Sequence, residues 1–285
     1  MKKTLRIHAL LLGAALLLTG CGGATEQIAE KPVVAVGIVP VKTFVEAVCG
    51  DLCEVVTMIP PGASPETYEP SPREQLKLSE ADAYFSVGMP AEENSILPAL
   101  SEDTCAVRLD EAVRRQYDDL TLGDARDPHI WLSTRRAGAM VEEICQTLSG
   151  QYPQFAQTFR ENADAYLSEL NRTDAAVRAA LSALENRAFI VFHPAFGYFA
   201  DEYGLTMYAL EDEGKEATPR RLMDMVDFAR ESGIRVIFYQ AETDVSQAQA
   251  FAEEIGGTCV ALDPLAAEYT ENLETMAAQI AEAAR

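Results

Sequence analysis

The run from Tyr152 to Asn186 constrains the fold of this chain more than any other stretch. Its large apolar residues are Phe155, Phe159, Tyr166, Leu170, Val177, Leu181 and Leu184, at gaps of 4, 7, 4, 7, 4 and 3. Those gaps put them on one stripe of a helix and exclude the alternation of a strand. Pro153 suits a first helical turn, and no further proline or glycine interrupts the run. At about 1.5 Å per residue, roughly 33 residues give a rod of about 50 Å, far longer than the mean globular helix. Such a rod is either a coiled-coil partner or a spine within one molecule. Strand–helix alternation on both sides favours the spine, and a sustained heptad would need repeated apolar spacings of 3 and 4.

The alternation runs as follows. Val33 to Val39, Cys53 to Ile59, Ala83 to Val87 and Thr104 to Leu109 read as strands. Pro40 ends the first of them, and Val41 to Val48 fits a short helix stopped by Gly50. Ser71 caps a helix with Pro72 at its first position, and Ser133 caps one running to about Ser149. Gln116 to Pro128 reads as an acidic loop. After the spine come strands at Ala188 to Phe192, Leu205 to Leu210, Val236 to Tyr239 and Thr258 to Leu262. Helices fit Phe196 to Tyr203, Pro219 to Gly233 behind a Thr218 cap, Ser246 to Ile255 and Glu271 to Ala284. This predicts an α/β protein of two lobes, each a parallel sheet flanked by helices, joined by one long rigid helix. The lobes are expected at 32–150 and 187–285 with the linking helix at 151–186. The halves are alike in architecture, with no repeat evident in the sequence. The cleft between them, outside the carboxyl ends of the strands, is the expected ligand position.

Charge narrows the ligand. The chain has a net charge of −22, so it carries no basic surface to neutralise phosphates and no nucleic-acid partner is expected. That charge is compatible with a cation, although most acidic side chains on any such surface serve solubility. The first residues form a separate unit: Lys2, Lys3 and Arg6, then an apolar run from Ala9 to Leu18 too short to span a bilayer comfortably. The sequence Leu18-Thr19-Gly20-Cys21 resembles a bacterial lipoprotein signal. Residues 1–20 would then be cleaved and Cys21 acylated, leaving 21–31 as a flexible tether on a membrane face. The plainer alternative is a secretory signal followed by an unrelated cysteine. Cleavage removes three positive charges and leaves 20 basic against 45 acidic residues, a net −25. Cys49, Cys53, Cys105, Cys145 and Cys259 remain besides Cys21. They read as small buried apolar residues or a disulfide, with Cys49 and Cys53 close enough in sequence to bridge. The paired C-x-x-C spacing of a thiolate zinc site is absent.

Only His129 and His193 survive signal cleavage. Each stands at an element boundary, one per predicted lobe: His129 before Ile130-Trp131-Leu132-Ser133, His193 after Phe189-Ile190-Val191-Phe192. A lone loop histidine is ordinarily structural or exposed. Two of them facing one cleft point to metal ligation, since neutral imidazole is the commonest protein metal ligand. A secreted metallohydrolase would use similar ligands, but H-E-x-x-H, G-x-S-x-G and a phosphate-binding glycine loop are all missing. The expectation is therefore a binding protein and not an enzyme.

Asp127-Pro128-His129-Ile130-Trp131-Leu132-Ser133 resembles the second metal-ligand motif of the zinc/manganese-binding receptor lipoproteins of ABC importers. His193-Pro194-Ala195-Phe196-Gly197-Tyr198-Phe199-Ala200 resembles the third, Pro61 through Pro70 the first, and Leu262-Asp263-Pro264-Leu265 the fourth. Glu216-Ala217-Thr218-Pro219 is similar to a further signature. The motifs occur in the family's order over nearly all the mature chain. The resemblance implies two α/β lobes bridged by a long helix, and a metal held by Glu66, His129, His193 and Asp263. Glu66 replaces the family's usual first histidine. The alternatives are that Glu66 is a solvated loop residue, with Glu69, Asp124 or Asp127 as weaker substitutes, and that Asp263 is only a turn residue. Two nitrogens with oxygens disfavour copper(I). Zinc is favoured over manganese because the third motif carries histidine where manganese members commonly have glutamate. Implied partners are the ABC permease and its ATPase, with the membrane reached through the lipid anchor only and the receptor a monomer. An adhesin, or a receptor for another ligand with a degenerate metal site, is the competing reading.

Overall fold

A computed structural model describes residues 31–211, 217–240 and 245–284. The expected signal peptide, Cys21 and Glu216 lie outside the described residues. Residues 31–285 form one compact unit. The first sheet contains β1 (Val33–Val36), β2 (Glu54–Thr57), β3 (Ala83–Ser86) and β4 (Cys105–Arg108), in the order β2-β1-β3-β4 and wholly parallel. Its helices are α1 (Val39–Cys49), α2 (Pro72–Leu78) and α3 (Leu109–Arg114). A small antiparallel hairpin, β5 (Thr121–Leu122) with β6 (Ala125–Arg126), follows. Then come α4 (Thr134–Gln151) and α5 (Ala156–Leu181). The second sheet contains β7 (Ala188–Val191), β8 (Thr206–Ala209), β9 (Val236–Tyr239) and β10 (Thr258–Ala261), ordered β10-β9-β7-β8 and also parallel. Its helices are α6 (Gly197–Tyr203), α7 (Pro219–Glu231), α8 (Val245–Ile255) and α9 (Tyr269–Ala283).

Counted from its own first strand, each sheet has the order 2-1-3-4. The α/β class and the two-sheet architecture are therefore as the sequence predicts. Several details differ. Pro40 does not end a strand; it sits in the first turn of α1, where a missing N–H costs nothing. The spine is shorter than expected, 26 residues, or roughly 39 Å. A 3-10 turn at Pro153–Phe155 precedes it, and the chain leaves helical form after Leu181. Its buried stripe is Phe159, Ala163, Leu170, Thr173, Val177 and Leu181. Gly150 lies within α4 and does not stop it.

α5 packs on α1, α4 and α9. Its stripe joins one apolar cluster containing Val34, Phe44 and Trp131 from the first half and Phe189, Phe238 and Met276 from the second. The principal core thus crosses the sheet boundary. A smaller cluster around Ile190, Ile237 and Phe251 belongs to the second half alone.

Ligands of such sheets usually sit at the switch between the first and third strands. In the first half that position is filled. Glu92 is fully buried and accepts hydrogen bonds from Tyr84 Oη, Ser86 Oγ and the Val87 and Met89 N–H groups. Gly37 makes room for it, since a Cβ there would lie 2.1 Å from Glu92 Oε1.

Candidate metal centre

Glu66 lies on the proline-rich segment after β2, where Pro60, Pro61, Pro65 and Pro70 limit the backbone. The Ala91 N–H donates to the Pro65 carbonyl at 3.1 Å and fixes the segment to the turn beside Glu92. Ser64 Oγ donates to Glu66 Oε2. His129 leads into the 3-10 turn Ile130–Leu132. His193 follows β7 by two residues. Trp131 Nε1 donates to the Pro264 carbonyl at 2.7 Å, and Tyr269 Oη donates to the Trp131 carbonyl. The His129 turn is in this way tied to the segment after β10 and to α9.

Ligand-capable atoms of Glu66, His129 and His193 all lie within 4.8 Å of one another. Glu66 Oε1 is 3.6 Å from His129 Nε2 and 3.4 Å from His193 Nε2. The two imidazole rings stand at 75° with centroids 5.4 Å apart. His193 Nε2 is buried with no hydrogen-bond partner.

Each ring is held from behind by a carboxylate. Nδ1 of His129 is 2.7 Å from Asp127 Oδ1, which also accepts the His129 N–H at 2.9 Å. Nδ1 of His193 is 2.6 Å from Glu211 Oε2. Glu211 is placed there by its own N–H, which donates to the Phe192 carbonyl at 3.0 Å. An ionised carboxylate only accepts, so each Nδ1 carries a proton and Nε2 is the nitrogen turned toward Glu66. Asp127 lies against Gly197 of α6, where a Cβ would meet Oδ2 at 2.5 Å.

These contacts fix the proton balance without a cation. Burial works against a charge on Glu66, but the facing imidazoles of His129 and His193 and the hydrogen bond from Ser64 hold its carboxyl well below the usual range. Burial likewise opposes protonation of His193, yet Glu211 and Glu66 push it up to about 9. Burial opposes, and Asp127 and Glu66 outweigh, in the same way at His129, which is raised. In the metal-free protein, protons occupy the place a cation would take.

The fourth sequence candidate is not brought to this cluster. Asp263 is exposed, and its Oδ1 accepts the Leu265 N–H at 2.8 Å, the turn contact expected before proline. Glu69 and Asp124 are exposed. Asp127 is neither a ligand substitute nor a solvated loop residue, because it is buried behind His129. Glu211 was not anticipated. The only signal for it was its place at the end of the strand neighbouring the one that carries His193. All five described cysteines are free thiols, Cys49 and Cys53 included. A cavity of about 410 Å³ opens on the triad, with Arg108, Asp110 and Arg126 on its wall.

Residues 34–283 match the family described as zinc-uptake complex component A, periplasmic (ZnuA). The chain belongs to this family. Among the relatives of this ZnuA-family chain is the zinc-binding lipoprotein AdcA of Streptococcus pneumoniae, 30% identical over 270 residues. That match covers 88% of this chain and 53% of the relative, so the chain spans about half the length of the streptococcal proteins it matches. A crystal structure of ZnuA superposes with a TM-score of 0.84 at 32% identity, covering 90% of this chain and all of that one. The periplasmic zinc-binding protein TroA of Treponema pallidum shares the fold, with a TM-score of 0.82 at 21% identity over 90% of this chain and 100% of that one. No helix among the described residues is long and apolar enough to cross a membrane.

Proposed function

We propose that this ZnuA-family chain is the substrate-binding lipoprotein of an ABC importer. It captures one divalent metal, zinc in preference to manganese, at Glu66, His129 and His193 and delivers it to a permease and its ATPase. Residues 1–20 act as the signal, Cys21 carries the lipid, and residues 21–31 tether lobes at 32–150 and 187–285 through the 151–186 linker. The protein works as a monomer on the outer face of the membrane.

One observation carries the metal reading. Ligand atoms about 2.0–2.1 Å from a tetrahedral zinc lie about 3.4 Å apart, and Glu66 Oε1 lies 3.4 and 3.6 Å from the two Nε2 atoms. Two imidazoles and one carboxylate, each imidazole backed by its own carboxylate, form a donor set suited to zinc. Manganese prefers six ligands richer in oxygen. The convergence of the triad favours a working site over a degenerate one. It also favours a receptor over a hydrolase, because the two spare carboxylates, Asp127 and Glu211, are committed to imidazole Nδ1 atoms and leave no general base. The fourth metal position falls to water. Relatives support the choice of cargo: AdcA is named a zinc-binding lipoprotein, and a ZnuA deletion mutant is described with zinc bound.

The test is calorimetry of the metal-free protein with zinc and with manganese, alongside Glu66→Ala and His129→Ala. Zinc binds at one site and more tightly than manganese, and His129→Ala weakens it more than Glu66→Ala. Unchanged affinity in both variants would place the site elsewhere.

A further inference from the structure

The two oxygens of the Glu66 carboxylate have different surroundings. Oε1 faces both imidazoles, 3.6 Å from His129 Nε2 and 3.4 Å from His193 Nε2. Oε2 accepts a hydrogen bond from Ser64 Oγ, its only partner among the described residues. The same hydroxyl accepts the Glu66 N–H at 3.3 Å. It therefore closes a ring, accepting from the backbone of Glu66 and donating to its side chain. A hydroxyl has one proton to donate, and here that proton is committed to Oε2. The ring is anchored on both sides. The Ser64 carbonyl accepts the Tyr68 N–H at 3.0 Å and the Thr67 N–H at 3.3 Å, so the backbone turns tightly around Glu66. Tyr68 Oη donates to the Glu74 carboxylate at 2.8 Å, in the first turn of α2. Pro65, between Ser64 and Glu66, fixes a backbone dihedral of the bridge.

Which oxygen is free decides how many donors a metal finds. An imidazole nitrogen has one lone pair to give, whereas a carboxylate binds through one oxygen or through both. With Oε2 held by Ser64, Glu66 offers a single oxygen, and the triad of Glu66, His129 and His193 offers one donor per residue. Three donors and one open position match the four-coordinate habit of zinc. With both oxygens free the triad would offer four donors, and water would extend that set toward the six oxygen-richer ligands that manganese takes. The contact also restrains a long side chain that would otherwise sample many rotamers.

We propose that Ser64 is a positioning residue that sets metal specificity: its hydroxyl keeps Glu66 monodentate and so holds the centre to four-coordinate zinc against manganese. The inference rests on the receptor reading above and goes further than naming Glu66 a ligand, because it assigns the choice of cargo to a side chain that does not touch the ion. A hydroxyl that served only the turn would support either metal equally. The backbone contacts of the turn run through the Ser64 carbonyl, which every substitution at this position keeps.

The experiment titrates purified wild type, Ser64→Ala and Ser64→Thr with zinc and with manganese by calorimetry. Each protein is also loaded with cobalt(II), whose visible absorption is strong with four ligands and weak with five or six. Ser64→Ala is expected to narrow the zinc-over-manganese affinity ratio about tenfold, the lower end of the effect of losing an outer partner of a metal ligand, and to weaken the cobalt band. Ser64→Thr keeps the hydroxyl and should restore both. An unchanged ratio with an unchanged band in Ser64→Ala would overturn the inference. So would an equal loss for both metals with the band intact, the mark of a turn that has merely loosened, and so would Ser64→Thr behaving as Ser64→Ala. A wild type that binds none of the three metals would refute the receptor reading itself, and the role of Ser64 with it.

Discussion

Replacing Glu211 by glutamine separates two opposing effects at the metal centre. Glu211 and Glu66 together raise the proton affinity of His193 to about 9 against the opposing effect of burial. Below that pH the metal-free site holds a proton that zinc must displace, so wild-type affinity rises with pH and levels off above about 9. At pH 7 a single proton with that affinity weakens apparent zinc binding roughly 100-fold relative to the plateau. Glutamine still accepts the Nδ1–H but carries no charge, so the imidazole loses one of its two raising carboxylates and part of that competition vanishes. The same change removes a charged orienting partner, a loss of about 10–100-fold in metal affinity. Near pH 7 the two effects partly cancel; near pH 9.5 only the loss remains. Calorimetry in two buffers of different ionisation enthalpy, repeated across pH, reads both quantities. Wild type should release at least one proton per zinc at pH 7, with log affinity climbing by at least one per pH unit there and levelling above pH 9. Glu211→Gln should release less and show a flatter profile. A variant with wild-type slope and uniformly weaker binding would refute the assignment of the proton to the His193–Glu211 pair.

Other outcomes follow from the same contacts. Trp131, the single tryptophan, has its ring 5.3 Å from that of His129; zinc titration should change its fluorescence along a one-site curve, and a silent tryptophan would argue against binding at His129. Asp263→Ala should leave zinc affinity within about twofold, since the carboxylate is engaged by Leu265; a tenfold loss would show that it swings into the site. Leu170→Ala on the buried stripe of α5 should cost about 2–5 kcal/mol in urea unfolding, and a neutral result would mean that the spine is not a core element. Thr218→Ala should cost about 1 kcal/mol by the same measurement through the lost cap.

The parts of the fold set by local chemistry were legible in the chain. Ser71, Ser133 and Thr218 cap the helices where they are read to do so, and the apolar runs become parallel strands with ends that differ by up to three residues. The spine was overestimated because Phe155 and Leu184 continue the apolar spacing beyond the helix. Periodicity records which residues pack on the core, not whether the backbone between them is still helical. Helix α3 and the β5–β6 hairpin were missed because both are short and lie in a stretch dominated by charge. His129 and His193 were singled out by residue type and position and Glu66 only through the family resemblance, and the three lie together. Glu211 could not be singled out, because its contact with His193 depends on two parallel strands ending side by side, a relation that no local window contains. Asp263 stands apart from the three, because a carboxylate before proline serves a turn as readily as a metal.

The continuity of the core through α5 bears on how the cargo is let go. Pulling the halves apart would expose Phe189, Phe238 and Met276 together with the spine, so wide opening is an expensive exit. His129 is buried and tied down by Asp127, whereas the Glu66 side chain is 31% exposed. Under the proposed function, Glu66 is the ligand of the three that is best placed to close last on the ion and to loosen first. Release of the cargo would then need a shift of the short segment that carries Glu66 and no separation of the two sheets.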